Sequence, residues 1–106
     1  MIERVRGRLL AAEESWVVIE VGGIALRLEV GVRLARRLAT LGRARPEAGE
    51  LVLFTHLVLR PDQWQLFGFE EEESRRLFRI LLGIPGVGPR MAIALLSHLS
   101  IASLQE

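Results

Sequence analysis

The chain has 106 residues, half of them apolar, with no cysteine and a formal net charge of +1. That length supports one modest core, or one domain and part of another. The composition excludes a disulfide framework and thiolate metal sites, and no apolar run reaches the about 18 residues of a membrane span. Met1–Arg4 has no signal-peptide pattern, so a cytoplasmic protein without a membrane partner is expected.

Residues 4–11 alternate Val5, Gly7, Leu9 and Ala11 with Arg4, Arg6, Arg8 and Leu10, a strand period that sets three arginines on one face. Residues 15–21 form a second strand, and Gly22-Gly23 signals a two-residue hairpin. Residues 24–30 place Ile24, Leu26, Leu28 and Val30 opposite Ala25, Arg27 and Glu29. Residues 32–41 switch to helical spacing, with Gly42 as a stop and a loop over Arg43–Gly49. Residues 50–59 are a long apolar strand, Arg60–Gln63 a turn, and 64–69 a fifth strand. Five short strands with a helix between the third and fourth is the order of an OB barrel.

After Phe69 the pattern becomes helical. Glu70–Glu73 sits at a helix start, where acids meet the positive dipole end, and that helix runs to Leu82. A second helix runs from Pro89 to Leu99, and Ser100 would cap a third over Ile101–Gln105. The expected organisation is therefore β followed by α: a five-stranded OB barrel over 1–69 and a helical hairpin unit, cut short, over 70–106.

Charge follows this division. Residues 1–45 carry a net +4, residues 46–74 a net −6 and residues 75–106 a net +3. All 14 basic residues are arginine, whose planar fork suits phosphate. A chain so divided can present a basic face apart from an acidic region.

The richest stretch is Gly83–Leu96, GIPGVGPRMAIALL. A Gly86-Val87-Gly88 turn between two helices leaves backbone N–H groups bare where the second helix presents its positive end. Pro89 suits the first helical position, which needs no N–H. Gly86, Val87, Gly88 and Arg90 are the candidate phosphate-binding residues; the alternative is a hairpin whose glycines only make the turn.

These residues, taken together, resemble the RuvA family of Holliday-junction-binding subunits. The matching stretches are Met1–Gly7, Ile19–Gly23, Phe54–Arg60, Leu66–Phe69, Leu77-Phe78 and Gly86–Ser97, collinear over nearly the whole chain. The resemblance implies an OB barrel, a helix-hairpin-helix domain, and a homotetramer or octamer. It implies binding to four-way junction DNA during recombination and repair. It also implies partnership with a RuvB-type motor ATPase and with a junction-resolving nuclease. Such proteins carry a second hairpin, a linker and a small C-terminal domain that meets the motor; nothing here matches those parts, so a fragment is expected. The family places two acids, an acidic pin, in the turn before the last strand. Here Pro61 and Asp62 stand there, leaving Asp62 as the one pin acid. Without the resemblance, Pro61-Asp62 is a plain type I turn signal.

Other chemistry is poorly supported. His56 and His98 have no His, Cys or acidic partner at ligand spacing, so structural roles and no metal are expected. There is no GxxxxGK[ST] motif, no nucleophilic triad and no cofactor motif, so a non-enzymatic chain is expected. Trp16, Phe54, Trp64, Phe67 and Phe69 could stack on single-stranded bases, but their strand positions favour core or subunit packing. The rivals are a single-strand-binding OB protein, a helix-hairpin-helix nuclease, and an oligomerisation module with a purely structural hairpin.

Overall fold

Strand periodicity and helical periodicity exchange where the sequence says they should. The computed structural model describes residues 2–44 and 49–105. It shows β1 (Arg4–Ala12), β2 (Trp16–Val21), β3 (Ile24–Glu29), α1 (Val32–Ala44), β4 (Leu51–Leu59), β5 (Trp64–Phe69), α2 (Glu72–Leu82) and α3 (Pro89–Gln105). The strands close into a barrel in the order β1-β2-β3-β5-β4. Neighbours are antiparallel except β3 and β5, which run parallel through Glu29 opposite Phe67. Among the described residues, closure gives every strand two neighbours and so hides its edges. The β1–β2 register shifts between Leu9 and Ala11, a bulge that bends β1 as the barrel requires.

Alternation sorts the barrel strands. Val5, Val17, Ile19, Leu28, Leu53 and Leu66 are buried in one cluster, and Ala35 and Leu38 of α1 pack into it. Arg4, Arg6 and Arg8 are exposed, as the period of β1 predicts. Ile24, expected on the core side, is exposed, since it adjoins the Gly22-Gly23 turn at the end of its strand.

β5 is buried on both faces, and this joins the two halves of the chain. Leu66 belongs to the barrel core, whereas Phe67 and Phe69 face outward into a second cluster with Phe78 of α2 and Ala92 of α3. The Phe78 ring lies 4.8 Å from Phe69 and 5.2 Å from Phe67. Fully burying such a side chain contributes about 1.5–3 kcal/mol. The helices therefore sit against the barrel wall through an apolar seam.

Two helix ends differ from expectation. α1 continues through Gly42 to Ala44 instead of stopping at the glycine. A Cβ at Gly42 would lie 3.3 Å from Leu9 Cδ2, so the residue serves a close approach of helix to β1. Part of the expected Arg43–Gly49 loop lies outside the described residues. α3 runs unbroken from Pro89 to Gln105, so Ser100 does not cap a third helix. A cap needs non-helical backbone, and no Gly or Pro near Ser100 interrupts the helix. Among the described residues, no helix is long and apolar enough to cross a membrane.

Candidate nucleic-acid interface

The hairpin turn is built by short-range backbone bonds. Gly83 donates to Ile80 O at 3.1 Å and Ile84 to Leu81 O at 3.1 Å, tightening the end of α2. Val87 donates to Ile84 O at 3.0 Å, and its side chain packs against the buried phenylalanine cluster. Gly86 adopts φ 85°, a left-handed conformation in which any side chain is strained. α3 then starts at Pro89, and Ala92 N donates to Gly88 O at 2.9 Å.

This geometry sorts the predicted cradle residues. Among the described residues, the Gly86 and Gly88 amides donate to no backbone carbonyl. The Arg90 and Met91 amides precede the first bond of α3 and are likewise uncommitted. Gly86 and Gly88 are exposed, and no atom lies within 4 Å of where their Cβ atoms would stand. Val87 is the exception to the expected trio. Its amide closes the turn on Ile84, so its role is to hold the loop from beneath. No acidic residue occupies the first turn of α3, leaving the dipole end unopposed from within the helix.

Arg90 is 75% exposed, with NH2 3.6 Å from Glu29 Oε1 on the barrel. Glu29 is only 12% exposed and also accepts from Arg27 Nε at 2.9 Å. Arg27 in turn lies over the Trp16 ring, 4.4 Å from its centroid. The sequence does not single out Glu29, because it alternates with the core residues of β3. Its position two residues from Arg27, on the same strand face, is the available signal.

A second residue that the sequence leaves inconspicuous is Arg75. Its side chain is 7% exposed and donates to the backbone carbonyls of Glu3 and Thr55. It also approaches the Glu3 carboxylate at 3.4 Å and that of Glu72 at 3.9 Å. One guanidinium thus ties α2 to the lead into β1 and to β4. Its fork serves tertiary structure, and the phosphate-facing arginines must be sought elsewhere.

Asp62 lies at the tip of the β4–β5 hairpin, where Arg60 and Gln63 exchange backbone bonds at 3.0 and 3.3 Å. Both Pro61 and Asp62 are exposed, and the absence of positive φ among the described non-glycine residues fits the type I turn expected there. The neighbouring Trp64 is 75% exposed, so of the expected core or subunit packing it does not take the first within this chain. It stands opposite Leu59 at the turn end of the hairpin, beyond the reach of the barrel interior. Phe67 and Phe69 are core residues, and Trp16 and Phe54 carry the Arg27 and Arg75 guanidiniums on their rings.

The histidines take no metal-like arrangement. Arg79 Nε donates to His56 Nδ1 at 3.2 Å, and the His56 ring packs edge-on against Phe78. Burial pushes the His56 pKa below 6.5, and the nearby Arg79, Arg75 and N-terminal charges lower it further. His98 is exposed. Among the described residues, no three His, Cys, Asp or Glu side chains converge as a metal would need.

Comparison with known proteins gives this arrangement a family. Residues 1–68 match the RuvA N terminal domain, and residues 78–106 match a SAM-like helix-hairpin-helix tandem. The whole chain is 43% identical over 106 residues to the Holliday junction branch migration complex subunit RuvA of Chlorobaculum tepidum, covering 50% of that protein. The subunit of the same name from Chlorobium phaeobacteroides is 42% identical, again with 50% of it covered. That from Desulforamulus reducens is 39% identical, with 49% covered. The chain spans about half the length of the curated relatives it matches. A closed five-stranded barrel, a helical hairpin seated on its β5 wall and these matches agree: the chain belongs to the RuvA N-terminal domain family.

Proposed function

We propose that this chain is a non-enzymatic DNA-binding scaffold that recognises four-way junctions by backbone geometry. The observation that carries the reading is the hairpin. Exposed, uncommitted amides at Gly86 and Gly88 lie beside the N-terminus of α3, with Arg90 in its first turn. Such a site takes a phosphate without reading bases. Val87 contributes by fixing the turn. Asp62, exposed at its hairpin tip, is the pin: a carboxylate near crossing strands repels their phosphates and disfavours closure into ordinary duplex.

A homotetramer would place four such hairpins on one face, one for each arm of the junction, and an octamer would carry twice that number in all. The 1–69 barrel would assemble the oligomer and the 70–106 hairpin domain would hold DNA. Branch migration would draw its ATP hydrolysis from a RuvB-type motor, and a junction-resolving nuclease would act on the same complex, in the cytoplasm.

Titration of a labelled four-way junction, a duplex of the same sequence and a single strand tests this. Junction binding should be tightest and indifferent to arm sequence. The exposed Trp64 is the feature that favours a single-strand-binding reading instead, through base stacking. Preference for the single strand would establish that rival and refute the scaffold.

A further inference from the structure

Glu29 holds two arginines, and only one of them belongs to the hairpin. Its Oε2 accepts from Arg27 Nε at 2.9 Å. Its Oε1 lies 3.5 Å from Arg27 NH2 and 3.6 Å from Arg90 NH2. Two guanidiniums that meet the same oxygen are close neighbours, yet one stands on the barrel and the other on α3. The cluster carries two positive charges against one negative, and its carboxylate is largely buried while both arginines remain more than half exposed.

We propose that Arg27 is a second phosphate-binding residue, so that barrel and hairpin together grip two neighbouring phosphates of one DNA strand. Glu29 positions both forks. Without it, two adjacent like charges would repel and swing apart; with it, they share an anchor and keep a net positive charge toward solvent. Trp16 supports Arg27 from below through its ring face, restricting the side chain at little further cost in freedom. A guanidinium already paired through Nε and one NH2 still has N–H groups on its outer side for a phosphate oxygen. The proposal rests on the hairpin reading above and extends it onto the barrel.

The test is junction binding across a salt series for the parent, Arg27→Gln, Arg27→Lys and Arg90→Ala, each checked for folding by thermal melting. Arg27→Gln should weaken binding about threefold or more in each subunit and flatten the log–log salt slope by about 0.9 for each phosphate no longer neutralised. Arg27→Lys keeps the charge and should keep the slope. A residue that only packs on Trp16 would leave the slope of the Gln variant at the parent value, and that result overturns the proposal. If Arg90→Ala still weakens binding in that case, the hairpin reading stands without Arg27. Parent-like binding by both variants would instead bring down the hairpin reading itself.

Discussion

Gly88→Glu separates binding from folding more cleanly than any other change at the hairpin. Gly88 does not have positive φ, and nothing lies within 4 Å of its would-be Cβ, so a side chain there meets no obstacle in the free protein. The new carboxylate would also face the positive end of α3, a favourable place for it. Stability should therefore change by no more than about 1 kcal/mol. Binding should suffer twice. A carboxylate about 5 Å from a phosphate in a water-like dielectric adds about 1 kcal/mol of repulsion. Losing a charge-assisted amide bond removes about 1.5 kcal/mol more. The combined loss, about 2.5 kcal/mol for each hairpin, corresponds to about seventyfold in affinity. Gly86 cannot serve this purpose, because its φ of 85° makes any substitution a folding mutant as well. Fluorescence anisotropy with a labelled junction, beside circular dichroism and a urea melt, reads both quantities. A folded Gly88→Glu protein with parent affinity would refute the phosphate cradle.

Three other outcomes follow from the same geometry. Arg75→Met should cost about 3 kcal/mol in urea unfolding, because the carbonyls of Glu3 and Thr55 lose their buried donor; a loss below about 1 kcal/mol would show that water replaces it. His56 has a folded pKa below 6.5, so the unfolded chain takes up its proton first as pH falls. Its contribution is complete above that value and is lost as the pH drops through the folded pKa. Urea melts at about pH 7.5 and about pH 5.5 should show a loss at the lower pH that His56→Gln reduces, and an equal loss in both proteins would place the sensitivity elsewhere. Asp62→Asn should tighten duplex binding more than junction binding, by less than about fivefold at each site, and the gain should shrink with salt. Equal affinities for variant and parent at low salt would leave Asp62 a turn residue only.

The sequence showed its barrel clearly because period-two alternation, the Gly22-Gly23 turn and Pro61-Asp62 act locally. The hairpin was equally legible, since Gly86, Gly88 and Pro89 report backbone demands at their own positions. What escaped was set by distant partners. Arg75 reads like any arginine of an amphipathic helix, and only the fold brings the carbonyls of Glu3 and Thr55 to it. Glu29 reads as the solvent side of a strand, yet α3 returns much later in the chain to cover it and lend it Arg90. Val87 looked like a cradle residue by its place between two glycines, but the bond to Ile84 O turns its amide inward. For Trp64 the strand pattern allowed core or subunit packing, and only the fold shows that the hairpin end lies beyond this chain's own barrel core.

The claim that the Gly86–Gly88 turn receives a DNA phosphate is tested most directly by amide NMR. A ¹⁵N-labelled protein titrated with a four-way junction should show large downfield shifts at the Gly86 and Gly88 amides, with Arg90 and Met91 following. Val87, whose amide is already bonded to Ile84 O, should move least within the turn and so serves as an internal reference. Unmoved glycine amides, with the largest changes at the Trp16 and Trp64 indoles, would contradict the account and place the nucleic acid at those tryptophans of the barrel.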